Sequence, residues 1–155
     1  MSGKAVVNGV GRGRAIWMLG GLYEVLVSGD ETNGQSTVMH FTIPAGAAPP
    51  LHRHDGDETV FVLEGTLNYH IGGETFEGGP GSVFHIPAGT EERFEPTSTV
   101  KLVVNYAPGG IDRFFAEAGE PATTREIPPA PTSPPDIERL AQIGATHGLH
   151  LVPPA

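Results

Sequence analysis

Nearly every stretch of this chain that reads as a strand is cut short by glycine, proline or an Asn-Gly pair, from Gly20-Gly21 to Pro87-Ala88-Gly89. Such punctuation favours many short strands joined by tight turns over a helical bundle. The sequence holds 22 Gly and 15 Pro in 155 residues, set between runs rich in β-branched and aromatic side chains. Ala15–Met18, Leu22–Ser28, Ser36–Ile43, His52–His54, Glu58–Glu64, Thr66–Ile71, Thr75–Glu77, Ser82–Ile86, Glu92–Glu95 and Val100–Tyr106 read as strands. Asn33-Gly34 is the usual pair for positive φ angles, and Gly78-Gly79-Pro80-Gly81 reads as a sharp corner. About ten short strands with turn signals between them predict an all-β sandwich or closed barrel.

Helical periodicity comes late. Ile111, Phe114, Phe115 and Ala118 share one face of a short helix, with Gly119 where a C-terminal cap belongs. Pro121–Pro135 reads as an extended, Pro-rich connector. Ser133 and Pro134 are expected to start a second helix over about Asp136–Ala145, with Ile137, Leu140, Ala141, Ile143 and Gly144 facing inward. The expected division is a barrel domain over 1–118 and, over 119–155, the connector and a C-terminal helix packing on the barrel.

The length is that of one domain. With no cysteine, disulfides and thiolate metal sites are both excluded, so a metal site would use nitrogen and oxygen ligands. A net charge of −9 argues against nucleic acid. Met1 to Arg14 carry no apolar run after a basic start, and no stretch is apolar for the roughly 20 residues a bilayer span needs. The expectation is a cytoplasmic protein without a membrane or nucleic-acid partner.

The chemistry centres on His52-Arg53-His54. Side chains two apart on a strand point to one face, so two imidazoles project side by side. After the turn Asp55-Gly56-Asp57, Glu58 opens the returning strand and is expected to come level with the two rings from the adjacent strand. Two His and one carboxylate with other positions open suit Fe(II), Mn(II), Ni(II) or Zn(II). Such a metal can bind and polarise a substrate oxygen or dioxygen.

The pair stands in a longer pattern. Gly46, His52, His54, Glu58 and Gly65 are separated by five, one, three and six residues; after fifteen more comes Gly81, then Pro87 and Gly89. These segments, 46–65 and 81–96, resemble the two motifs of the cupin superfamily. The chain is similar along nearly its whole length to the small single-domain bacterial cupins grouped as quercetin 2,3-dioxygenase-like. Thr32-Asn33-Gly34-Gln35, Pro108–Phe115 and Pro135–Leu140 carry that likeness. The resemblance implies a cupin jelly-roll β-barrel with short C-terminal helices and a divalent transition metal held by His52, His54 and Glu58.

One position departs from the pattern. The second motif calls for a third His where this chain has Glu92, and Pro96 stands near the motif's closing Asn. Three readings stay open. Glu92 is a fourth metal ligand, which brings the site from +1 to zero charge; or it is a general base beside a three-ligand metal; or the site has changed role and binds no metal tightly. Two unpaired carboxylates inside a barrel repel unless they share a cation or proton, which favours a bound cation.

His85 reads as an ordinary strand histidine or a group orienting a carboxylate; His40 and His70 read as structural or surface residues, and His147 and His150 as solvated. Among Phe61, Leu63, Leu67, Tyr69, Phe84, Phe94 and Val104, some line a pocket and more pack the core. Trp17 and Tyr23 are candidates for the barrel mouth, Glu91 for a solvated turn, and Gly9–Gly13 for a flexible loop rather than a phosphate loop.

The expected function is a metal-dependent dioxygenase acting on a small aromatic, enol or polyketide-like substrate, with Glu58 or Glu92 taking the substrate proton. The alternatives are a non-redox isomerase or cyclase, and a non-catalytic ligand-binding barrel with a degenerate metal site. Sheet edges that benefit from covering point to a homodimer, with the N-terminal strands and Phe114-Phe115 as candidate contacts.

Overall fold

The computed structural model describes residues 3–154, so Met1 and Ser2 of the leader reading and the final Ala155 lie outside it. The strands are β1 (Arg14–Met18), β2 (Gly21–Val27), β3 (Thr37–Ile43), β4 (His52–His54), β5 (Asp57–Glu64), β6 (Leu67–Ile71), β7 (Glu74–Gly78), β8 (Val83–Ile86), β9 (Glu92–Pro96) and β10 (Val100–Ala107). Helix α1 (Asp112–Ala118), β11 (Glu120–Pro121), α2 (Ile137–Thr146) and β12 (Leu149–Leu151) complete the chain. They form two antiparallel sheets, ordered β11-β1-β2-β3-β10-β5-β8 and β12-β4-β9-β6-β7. The architecture is the all-β cupin jelly roll expected from the sequence, and each of the ten predicted strands is present. No helix among the described residues is long and apolar enough to cross a membrane.

Alternation sorts the side chains. Along β10, Val100, Leu102, Val104 and Tyr106 point into the barrel, and along β9 Glu92 and Phe94 do the same. Phe61 and Leu63 face outward on β5, at 40 % and 46 % exposure, while Val60 and Val62 enter the core. Gly65, which closes the first motif, has φ +81°, and a Cβ there would sit 2.1 Å from the Thr99 carbonyl oxygen. Both the backbone angle and the space therefore demand glycine.

The C-terminal part does more than the sequence foretold. Glu120–Pro121 pairs with β1 and Leu149–Leu151 pairs with β4, so both added strands cover sheet edges. Helix α2 is capped by Asp136, whose carboxylate accepts the Arg139 N–H, rather than by Ser133. Pro134 and Pro135 disfavour helical backbone in the residues before them, which delays the start. Leu140 and Gly144 face inward as expected, whereas Ile137 is 44 % exposed. Phe114 and Phe115 are buried within the chain instead of standing free for a partner. Phe115 packs 4.9 Å from Tyr23 and 5.6 Å from Phe41, ring to ring. Asp112 ties α1 to the barrel by accepting the Gly29 N–H and the Thr37 hydroxyl at 3.0 and 2.9 Å.

Candidate metal centre

Strand β4 carries His52 and His54 inward and Arg53 outward, as the two-residue period requires. The imidazole rings lie 5.0 Å apart and nearly perpendicular. Glu92 is the direct cross-strand partner of His52 on β9 and therefore shares its inward face. Glu58 arrives differently from the expectation. Strand β5 lies in the opposite sheet from β4, so Glu58 meets the imidazoles across the barrel rather than from a paired strand. The turn at Gly56 carries the chain between sheets, passing so close to Ala107 that a Cβ would lie 2.6 Å from its carbonyl oxygen.

His52, His54, Glu58 and Glu92 are all buried, and one ligand atom from each lies within 4.8 Å of the other three. His54 Nε2 is 3.2 Å from Glu58 Oε2, and His52 Nε2 is 3.9 Å from Glu92 Oε1. His52 Nδ1 donates to the Pro50 carbonyl at 2.8 Å. A carbonyl can only accept, so Nδ1 carries the proton and Nε2 offers its lone pair inward. Tyr69, fully buried, donates its hydroxyl to Glu92 Oε1 at 2.8 Å.

The electrostatics are those of a site short of positive charge. Burial, then the neighbouring Glu92 carboxylate, push Glu58 well above the usual carboxylate range, against a smaller opposing effect of the Tyr69 hydroxyl. Burial, with the imidazoles of His52 and His150, lowers His54 to about 3, which keeps it neutral and able to ligate. Burial and the same two carboxylates raise the phenols of Tyr69 and Tyr106, so both stay protonated. Glu58 Oε2 and Glu92 Oε2 are buried without an aligned hydrogen-bond partner. Two imidazoles and two carboxylate oxygens without aligned hydrogen-bond partners are a donor set that a divalent transition metal fits.

Above the centre opens a narrow cavity of about 50 Å³, walled by Tyr23, Phe41, Phe94, Phe114, Phe115 and aliphatic residues, with His52, His54 and Glu58 reaching it. Glu92 does not line it, and neither does any Lys or Arg. Leu140 of α2 and Leu149 and Leu151 of β12 form part of the wall, as does Tyr106, whose ring lies 5.3 Å from His54. Sequence reasoning missed Tyr106, Leu149 and Leu151, and it expected Leu140 to face inward without placing it at a cavity. It placed Tyr69 only as core or lining; the alternation of Leu67, Tyr69 and Ile71 along β6 was the available signal.

The other candidates lie elsewhere. His85 is exposed and bonds Thr59 at 3.0 Å; His70 sits beside Glu95 and Thr75. His147 bonds Glu117 and His150 bonds Asp55, each at 2.8 Å. His40 is buried 4.0 Å from Glu24 on the outer side of the long sheet. Within the Gly9–Gly13 loop, the Gly11 N–H is fastened to Glu24. Trp17 donates to the Glu126 carbonyl, which fixes the Pro-rich connector against β1.

Residues 39–110 match the cupin domain family. Quercetin 2,3-dioxygenase of Bacillus subtilis (strain 168) is 30 % identical over 123 residues, covering 78 % of this chain and 36 % of that protein. The chain thus spans little more than a third of this relative's length. Among solved structures, an RmlC-like cupin from Shewanella frigidimarina NCIMB 400 superposes with a TM-score of 0.61 at 17 % identity, over 70 % of this chain and 96 % of that one. The polyketide cyclase RemF from Streptomyces resistomycificus gives 0.52 at 22 % identity, over 69 % and 80 %. At these identities the structural matches speak for the fold alone.

Proposed function

Residues 39–110 are a cupin domain, and from that premise we propose that the chain is a metal-dependent enzyme holding one divalent ion of Fe, Mn, Ni or Zn through His52, His54, Glu58 and Glu92. The observation that carries this reading is the pair of buried carboxylate oxygens, Glu58 Oε2 and Glu92 Oε2, that lack an aligned hydrogen-bond partner and share their space with two imidazoles. The ion, when bound, supplies a Lewis acid for a substrate oxygen and, if redox-active, a centre for dioxygen chemistry.

The substrate class we propose is an aromatic, enol or polyketide-like small molecule, and the reaction is its dioxygenation. Supporting this are the aromatic walls and the absence of a cationic side chain among the lining residues. The likeness to a quercetin 2,3-dioxygenase points the same way. Glu58 is the carboxylate that takes the substrate proton, because it reaches the cavity and Glu92 does not. Glu92, held by Tyr69 and set away from the cavity, serves as a ligand.

A second reading, a non-redox isomerase or cyclase, draws on one feature: a carboxylate at the cavity can move a proton without dioxygen. Oxygen uptake with a panel of flavonols and enolisable polyketides, with and without added Fe(II), Mn(II) or Ni(II), separates the two. Metal-dependent uptake supports the dioxygenase; turnover of the same compounds without oxygen supports the second reading.

We further propose a homodimer and a cytoplasmic setting. Phe61, its cross-strand partner Val83 and Leu63 leave apolar surface on one outer sheet face, which supports the dimer. Sedimentation that gives a monomer would overturn it.

A further inference from the structure

A glutamate ligand is a loose one by itself, with three rotatable bonds and two equivalent oxygens to choose between. Glu92 is denied that freedom. Strand β6 pairs with β9 so that Ile71 lies opposite Glu92 and Tyr69 opposite Phe94. Tyr69 is therefore the diagonal neighbour of Glu92 on the same inward face, a distance only a long side chain spans. Its ring is wedged 4.9 Å from Phe84 and 5.9 Å from Phe94, with no exposure, and its hydroxyl donates to Glu92 Oε1 at 2.8 Å. The other oxygen, Oε2, is buried and has no partner.

We propose that Tyr69 is a positioning residue for the metal centre: its hydroxyl holds Oε1 of Glu92 and thereby presents Oε2 to the ion. The inference rests on the metal reading above and adds a specific consequence. A carboxylate at this place needs a fixed donor behind it, whereas an imidazole brings its own N–H and has no use for a second donor. The Tyr69–Glu92 pair then acts as a unit, and the value of the phenol depends on which residue stands at position 92.

Mn(II) affinity of wild type, Tyr69→Phe, Glu92→His and the double variant tests this. Tyr69→Phe keeps the ring and its packing, and is expected to weaken Mn(II) binding about 10- to 100-fold in the Glu92 background. In the Glu92→His background the same change should move affinity by less than about threefold. Equal losses in both backgrounds, or none in the first, would overturn the proposal and leave the metal reading standing. A wild-type chain that takes up none of Mn(II), Fe(II), Ni(II) or Zn(II) would remove the metal reading and this inference with it. One measurement needs no variant. The Tyr69 hydroxyl proton, buried and hydrogen-bonded to Glu92, should give an NMR signal that persists when Zn(II) is added; its loss on Zn(II) addition would mean that Glu92 turns away from Tyr69 on binding.

Discussion

His52 and Glu92 stand directly opposite each other on β4 and β9, with Nε2 and Oε1 3.9 Å apart. Sheet register fixes that separation, because cross-strand partners on one face have no choice of neighbour. Glu92 therefore belongs to the centre by backbone geometry, and its role follows from what shares the space: His54, Glu58 and the Tyr69 hydroxyl.

Metal uptake should release protons. Glu58 holds its proton well above the ordinary carboxylate range and must give it up to ligate, whereas His54 is already neutral down to about pH 3. Affinity should fall as pH is lowered, and calorimetry in buffers of different ionisation enthalpy should detect proton release on binding at pH values where Glu58 still holds its proton. Binding that is independent of both pH and buffer would mean that Glu58 is not displaced.

Glu58→Gln should stabilise the metal-free protein. A group whose folded proton affinity exceeds its unfolded value of 4.5 contributes stability below that pH and loses it as pH rises through the folded value. The gain from the amide should thus appear above pH 4.5 and grow towards alkaline pH, reaching about 1–3 kcal/mol in denaturant titrations. His54 works in the opposite sense. Its unfolded form takes a proton near 6.5 and its folded form only at about 3, so its contribution is lost as pH falls from 6.5. A Glu58→Gln chain less stable than wild type at pH 8 would show that the carboxylate is better satisfied than its surroundings indicate.

Leu149→Ala should weaken both the fold and the site. Leu149 is buried, lines the cavity and pairs opposite His54. Truncation of a buried leucine costs about 2–5 kcal/mol, and here it also loosens the strand that carries both imidazoles. Thermal melts and metal titrations should both respond, whereas Val7→Ala, at 96 % exposure, should leave both unchanged. A Leu149→Ala chain that melts as wild type but binds metal tenfold less well would place β12 in the site and not in the core.

The sequence displays what short-range rules govern. Glycine and proline mark the strand ends, and the two-residue period turns His52 and His54 to one face. The spacing of Gly46, His52, His54, Glu58 and Gly65 singles out three candidate ligands, and the second motif, Gly81, Pro87 and Gly89, singles out Glu92 where an imidazole was expected. What stayed hidden depends on pairing between distant segments. Leu149–Leu151 is too short and too close to the C-terminus to announce a strand, and only its union with β4 makes it one. Likewise, Glu58 was expected from a neighbouring strand, because nothing local states that the turn after His54 crosses between sheets. Tyr69 looked like any inward aromatic until register set it diagonal to Glu92.

The most direct test is the metal content of purified, untagged protein by mass spectrometry, for wild type and Glu92→Gln. A four-ligand centre requires about one divalent ion per chain in wild type and the loss of most of it in Glu92→Gln. If wild type stays empty after incubation with Fe, Mn, Ni and Zn while Glu92→His binds, Glu92 is not a ligand and the barrel is not a metalloenzyme.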